Sequence, residues 1–185
     1  MRPTFLLPFA LPALLAAAPQ APAGDDLARR LTSYHTRLFA VGDLVTTPFD
    51  AKADEVTQWT DLMNEFTRAV QAGGTKEQGK DMEALANLSH SILQERNRAS
   101  QFFKSRFPDG KVPSGTKFPR KDLKDLIDGD ATLRNKAKPV DAILDRASKS
   151  MKDPADAGDL LYRLSLTLLL TVDAYHNHLL ALVKR

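Results

Sequence analysis

The stretch Thr171 to Val183, TVDAYHNHLLALV, crowds Asp173, Tyr175, His176 and His178 into less than two turns of one predicted helix. Carboxylate and imidazole groups at that density could ligate a metal ion or hold a proton for catalysis. Their spacing divides them. His176 and His178 stand two positions apart, about 200° around a helix, so they cannot chelate one ion from the same face. Asp173 and His176 are three apart, share a face and can touch.

The Glu-x-x-His half-site of carboxylate-bridged metal bundles has the same spacing, but such a site needs a second copy and further carboxylates facing it. The nearest approach to a second copy, Asn87 to His90, has the histidine without the carboxylate, and His35 stands beside a hydrophobic stripe rather than in it. An isolated pair supplies too few ligands for zinc or iron. A metal or small ligand held by Asp173 and His176 with residues of neighbouring helices is therefore one reading. A structural or solvent-facing pair is the plainer one.

Arg96 interrupts an apolar stripe, with Ile92, Ala99 and Phe103 around it. A buried guanidinium requires a hydrogen-bonded anion. If the helices carrying Arg96 and Asp173 run parallel, the two residues lie at matching levels, which suggests an Arg96–Asp173 ion pair extended by His176. Otherwise Arg96 lays its stem on the core and carries its charge to the edge.

The strongest surface feature is a basic segment. Lys104, Arg106, Lys111, Lys117, Arg120, Lys121 and Lys124 fall within 21 positions, against Asp109 and Asp122, with Asp125 just beyond. Phe107 and Phe118 are interleaved with these cations. Together they could meet an anionic partner such as a lipid surface, a cell-wall polymer or an acidic protein face. The plainer alternative is a solvated linker.

Familiar catalytic signatures are absent. There is no Gly-rich phosphate loop ending in Lys-Ser or Lys-Thr, no Gly-x-Ser-x-Gly elbow and no His-Glu-x-x-His. Nothing in the chain calls for a cofactor, and enzyme activity is unsupported.

The elements that must position these groups are helices. Leu27, Leu31, Tyr34, Leu38, Val41 and Val45 recur every three or four residues. After a start signal at Thr47, Pro48 and Asp50, a second stripe runs Val56, Trp59, Met63, Phe66, Val70 and stops at Gly73-Gly74. Trp59 and Phe66 in that stripe are core residues by spacing rather than a ligand cage. Thr75 and Gln78 suit a capping box for a third helix with the stripe Met82, Leu85, Ser89, Ile92, Arg96, Ala99, Phe103. The proline- and glycine-rich stretch from Arg106 to Lys121 then excludes a regular helix.

A short helix from about Arg120 to Asp128 is predicted next. Asp130 suits the cap of another, striped by Leu133, Ala137, Val140, Leu144, Ala147 and Met151, with a kink or break at Pro139. Asp153, Pro154 and Asp156 read as cap, first position and first-turn anion of the last helix. That helix carries two stripes. One is Leu161, Leu164, Leu168, Thr171, Tyr175, His178, Leu182; the other, nearly opposite, is Tyr162, Leu166, Leu169, Asp173, His176, Leu180. A helix apolar on two sides is central or surrounded by partners, including a second copy of the chain in an assembly role.

The pattern predicts an all-α, up-and-down antiparallel bundle of four to five helices with one long basic loop. At the N-terminus, Arg2, the apolar run Phe5 to Ala18 and Ala21-Pro22-Ala23 have the order of a secretory signal peptide cleaved after residue 23. Residues 24–185 then form a single exported domain, periplasmic or secreted, with no transmembrane anchor after processing. The chain has no cysteine, hence no disulfide framework. Removing Arg2 with the leader lowers the formal charge from +3 to +2, too small for a dedicated nucleic-acid binder.

Overall fold

The computed structural model describes residues 26, 27, 29, 30, 33, 53–109, 112–153 and 156–184. Within them lie four long helices: α1 (Ala53–Gly73), α2 (Lys76–Arg106), α3 (Lys124–Ser150) and α4 (Ala157–Leu182). A 3₁₀ turn, Arg120–Leu123, leads into α3. The molecule is an all-α helical bundle. The predicted leader falls outside the described residues, and so does most of the first predicted helix. Of the latter, Leu27 is buried with the core and Arg30 bonds Glu65 on α1 at 2.5 Å.

The junction of α1 and α2 follows directly from its residues. A Cβ at Gly74 would lie 2.5 Å from the Val70 carbonyl, so only glycine fits this close turn. Thr75 then caps α2. Its hydroxyl accepts from the Gln78 amide at 3.2 Å, and the Gln78 side chain accepts from the Thr75 amide at 2.7 Å. The predicted capping box is present in full.

Two expectations along α3 are corrected. The short helix from Arg120 and the one expected to start at Asp130 are continuous, and Asp130 is a buried residue inside α3 rather than its cap. Pro139 does not split the helix either. It lies on the exposed face, where the carbonyl released at Asn135 can be met by water, so the missing amide costs less than in a core. The cap of α4 is also displaced from the expected Asp153. Asp156 takes that place, its carboxylate accepting from the amides of Asp159 at 2.7 Å, Lys152 at 2.7 Å and Asp153 at 3.2 Å.

Among the described residues, α2 and α4 each pack against the three other helices, whereas α1 and α3 do not meet. The parallel pair α2 and α4 is therefore the short diagonal of the bundle, and the apolar stripes of the sequence converge on it. Phe66, Met82, Leu85, Leu88, Leu161, Leu164 and Leu168 are fully buried there, each removal from water contributing about 1.5–3 kcal/mol. Ser89, the polar interruption in the α2 stripe, accepts the buried Trp59 indole N–H at 2.7 Å. The first stripe of α4 is buried almost throughout. The second is only half-covered and leaves Leu180 53% exposed.

The long connection between α2 and α3 is fastened to the end of the bundle. The Phe118 amide donates to the Leu182 carbonyl and the Lys184 amide to the Phe118 carbonyl, both at 2.8 Å. The Phe118 ring enters a cluster with Phe102, Phe103 and Phe107, with centroids 5.4, 6.2 and 6.2 Å away in edge-to-face geometry. No described helix is long and apolar enough to cross a membrane.

Candidate functional site

A cleft of about 520 Å³ opens between α3 and α4, within the size range of small-molecule sites. The half-covered stripe of α4 forms one wall, with Leu169, Asp173, His176 and Leu180 in sequence along it. The α3 wall presents Ile127, Asp130, Ala131, Arg134, Lys138 and Asp141, and Arg120 of the basic segment stands in the lining as well. Asp173 and His176 thus face one space.

At the floor, Asp130 is only 5% exposed. Its Oδ2 lies 2.8 Å from His176 Nδ1. A carboxylate accepts, so His176 donates through Nδ1–H. Arg134 Nη1 lies 3.5 Å from Nδ1 and 3.4 Å from Nε2. Nη1 stands about equally far from both ring nitrogens, so the Arg134 guanidinium rests against the imidazole. Among the described residues Arg134 makes no ion pair, so its remaining donors are available to a ligand.

Behind this floor is a buried polar cluster that bridges α2, α3 and α4. Glu95 on α2 is 7% exposed. Its Oε1 meets Arg98 at 3.1 Å, while Oε2 has no partner among the described residues. Asp130 Oδ1 and the Tyr175 hydroxyl are likewise buried without a partner. Burial raises the Glu95 carboxyl above its usual range against the opposing influence of Arg98 and Lys136. Burial, reinforced by Glu95 and Asp130, raises the Tyr175 hydroxyl too. Tyr175 is therefore a neutral phenol.

The groups singled out in the sequence are placed as follows. Asp173 is exposed on the cleft wall, and the carboxylate on His176 is Asp130 of α3 instead. Arg96 is buried, only 6% exposed, whereas Asp173 is exposed. His178 is half-buried beside Phe103 and Leu126, away from this cleft. Glu95 and Arg134 were not singled out, and Asp130 only as a helix cap. Glu95 had a signal, because Leu88, Ile92, Glu95 and Ala99 keep helical spacing. Asp130 and Arg134 had none, since their partner is more than forty positions away.

The basic segment is partly spent within the fold. Lys117 donates to the Ala181 carbonyl at the end of α4, and Lys124 pairs with Asp128. Arg106 lies over the Phe102 ring at 3.7 Å. Lys104 is half-buried, Arg120 and Lys121 are exposed, and Lys111 lies outside the described residues. Phe118 is a core residue and not a contact offered to a partner.

Chemically, the cleft sets Arg120, Arg134, Lys138 and an oriented imidazole beside the carboxylates of Asp130, Asp141 and Asp173, against apolar walls. Among its lining residues there is no serine, threonine or cysteine to serve as a nucleophile. Among the described residues, no three Asp, Glu or His side chains gather closely enough to hold a metal ion. No protein-family model matches the sequence, and neither a curated protein nor a solved structure matches it.

Proposed function

We propose that this chain is an exported, non-enzymatic binding protein that holds an anionic group of an envelope component or small ligand in the α3–α4 cleft. The observation that carries this reading is the Arg134 guanidinium, held against a histidine that a buried aspartate fixes, in a cleft that Arg120 also lines. Prepaid orientation of that kind reduces the ordering cost of binding. Arginine matches carboxylate and phosphate geometry, and Leu169 and Leu180 supply an apolar surface beside the charge.

This reading joins two expectations, because Arg120 belongs both to the basic segment and to the cleft that contains Asp173 and His176. The rest of the segment has a supporting part, since its aromatic anchor closes the end of the bundle.

Calorimetric titration of the full chain with N-acetyl-L-leucine, an apolar carboxylate, tests the proposal. Arg134→Gln should weaken binding by about tenfold or more, as loss of a charged hydrogen bond does. Lys121→Gln, outside the cleft lining, should leave it within about twofold. Equal losses in the two variants would refute the cleft.

A further inference from the structure

We infer that the group bound in the cleft belongs to a zwitterion: a small ligand with an ammonium beside its carboxylate and an apolar side chain, such as a free amino acid or the end of a short peptide. The inference rests on the anion-binding reading above and adds to it the second charge. The cleft is not uniformly basic. One helical turn from His176, Asp173 projects its exposed carboxylate from the same wall, and among the described residues it makes no ion pair.

His176 is engaged on both sides: its Nδ1–H donates to Asp130 at 2.8 Å and its Nε2 faces Arg134 Nη1 at 3.4 Å. A carboxylate alone would find Arg134 as its donor but would meet Asp173 as a repulsive neighbour. An ammonium turns Asp173 into a partner. The polar band of Asp173, His176 and Arg134 is bounded along α4 by Leu169 and Leu180, each one helical turn away. A ligand whose two charges sit on adjacent atoms and whose side chain is apolar meets all of these groups at once. A ligand of one charge leaves part of the band unpaired, which is how a site rejects an analogue.

The test is calorimetric titration of the full chain with L-leucine and leucyl-leucine, each beside its N-acetyl and its C-terminal amide form. At least one zwitterion should bind saturably, and acetylation and amidation should each weaken it about tenfold or more. Asp173→Asn, at an exposed position, should narrow the preference for the free amine to within about threefold while circular dichroism and thermal midpoint stay unchanged. If the N-acetyl forms bind as tightly as the free amines, the zwitterion inference fails and the anion reading stands. If the amides bind as tightly as the acids, or no probe binds, both fail. A preference that Asp173→Asn leaves intact overturns the assigned ammonium position.

Discussion

The Glu95 carboxylate occupies the space that a side chain at position 129 would need: a Cβ built on Gly129 falls 1.9 Å from Oε2 and 2.5 Å from Cδ. Glycine in mid-helix costs roughly 1 kcal/mol relative to alanine, and here it admits a buried carboxyl between α2 and α3. Gly129→Ala should therefore destabilise the bundle by about 1–3 kcal/mol in urea unfolding despite its better helix propensity. Adding Glu95→Ala should recover much of that loss, since the two positions share one space. A stabilised single variant would show that Glu95 moves aside freely.

Burial holds the Glu95 carboxyl above its ordinary value of 4.5, with Arg98 and Lys136 opposing and Asp130 adding to the rise. The folded chain thus keeps this proton to higher pH than the unfolded chain. The stability tied to the neutral form is fully present below that ordinary value and is lost as pH rises through the raised one. Glu95→Gln cannot ionise. Denaturation midpoints followed upward from about pH 4.5 should fall less steeply in this variant than in the wild type, and parallel curves would contradict the assignment.

Asp156 has the opposite sign. Partial burial pushes its carboxyl up, but the amides of Asp159, Lys152, Asp153 and Gly158 together outweigh this and lower it below 3.8. Its contribution is present above that ordinary value and disappears as pH falls through the depressed one. Asp156→Ala should cost about 0.5–2 kcal/mol at neutral pH. Asp156→Asn should retain part of the cap and lose the acid sensitivity, which thermal melts at two pH values would show.

Phe118 closes the basic connection onto the ends of α2 and α4. Phe118→Ala should cost about 3–5 kcal/mol, as emptying a buried aromatic site does. It should also free the Lys184 amide, which donates to the Phe118 carbonyl. Hydrogen exchange at Lys184 rising to the rate of an open terminus is the expected result. Unchanged protection there would mean that the backbone pairing holds the connection without the ring.

Local order was legible in the sequence wherever its cause is local. The Thr75–Gln78 box and the stop at Gly74 need only neighbouring residues, and the apolar stripes need only helical period. The two stripes of the last helix also foretold its place on the short diagonal. Asp130 was misread because an aspartate after a glycine carries the signal of a helix start. Inside α3 its carboxylate instead meets His176 on the next helix. The break allowed for at Pro139 does not occur for a related reason: period does not say which of two faces water will cover. The polar floor of the cleft is assembled from α2, α3 and α4, and no linear spacing displays that meeting.

Amide proton–nitrogen spectra of the full chain, recorded while N-acetyl-L-leucine is added, test the cleft most directly. Saturable shifts should be largest at Ala131, Arg134, Asp173 and His176, the residues of α3 and α4 that line it. Shifts confined to Phe118, Lys121 and Lys184 at the end of the bundle, or no saturable shift anywhere, would contradict the account.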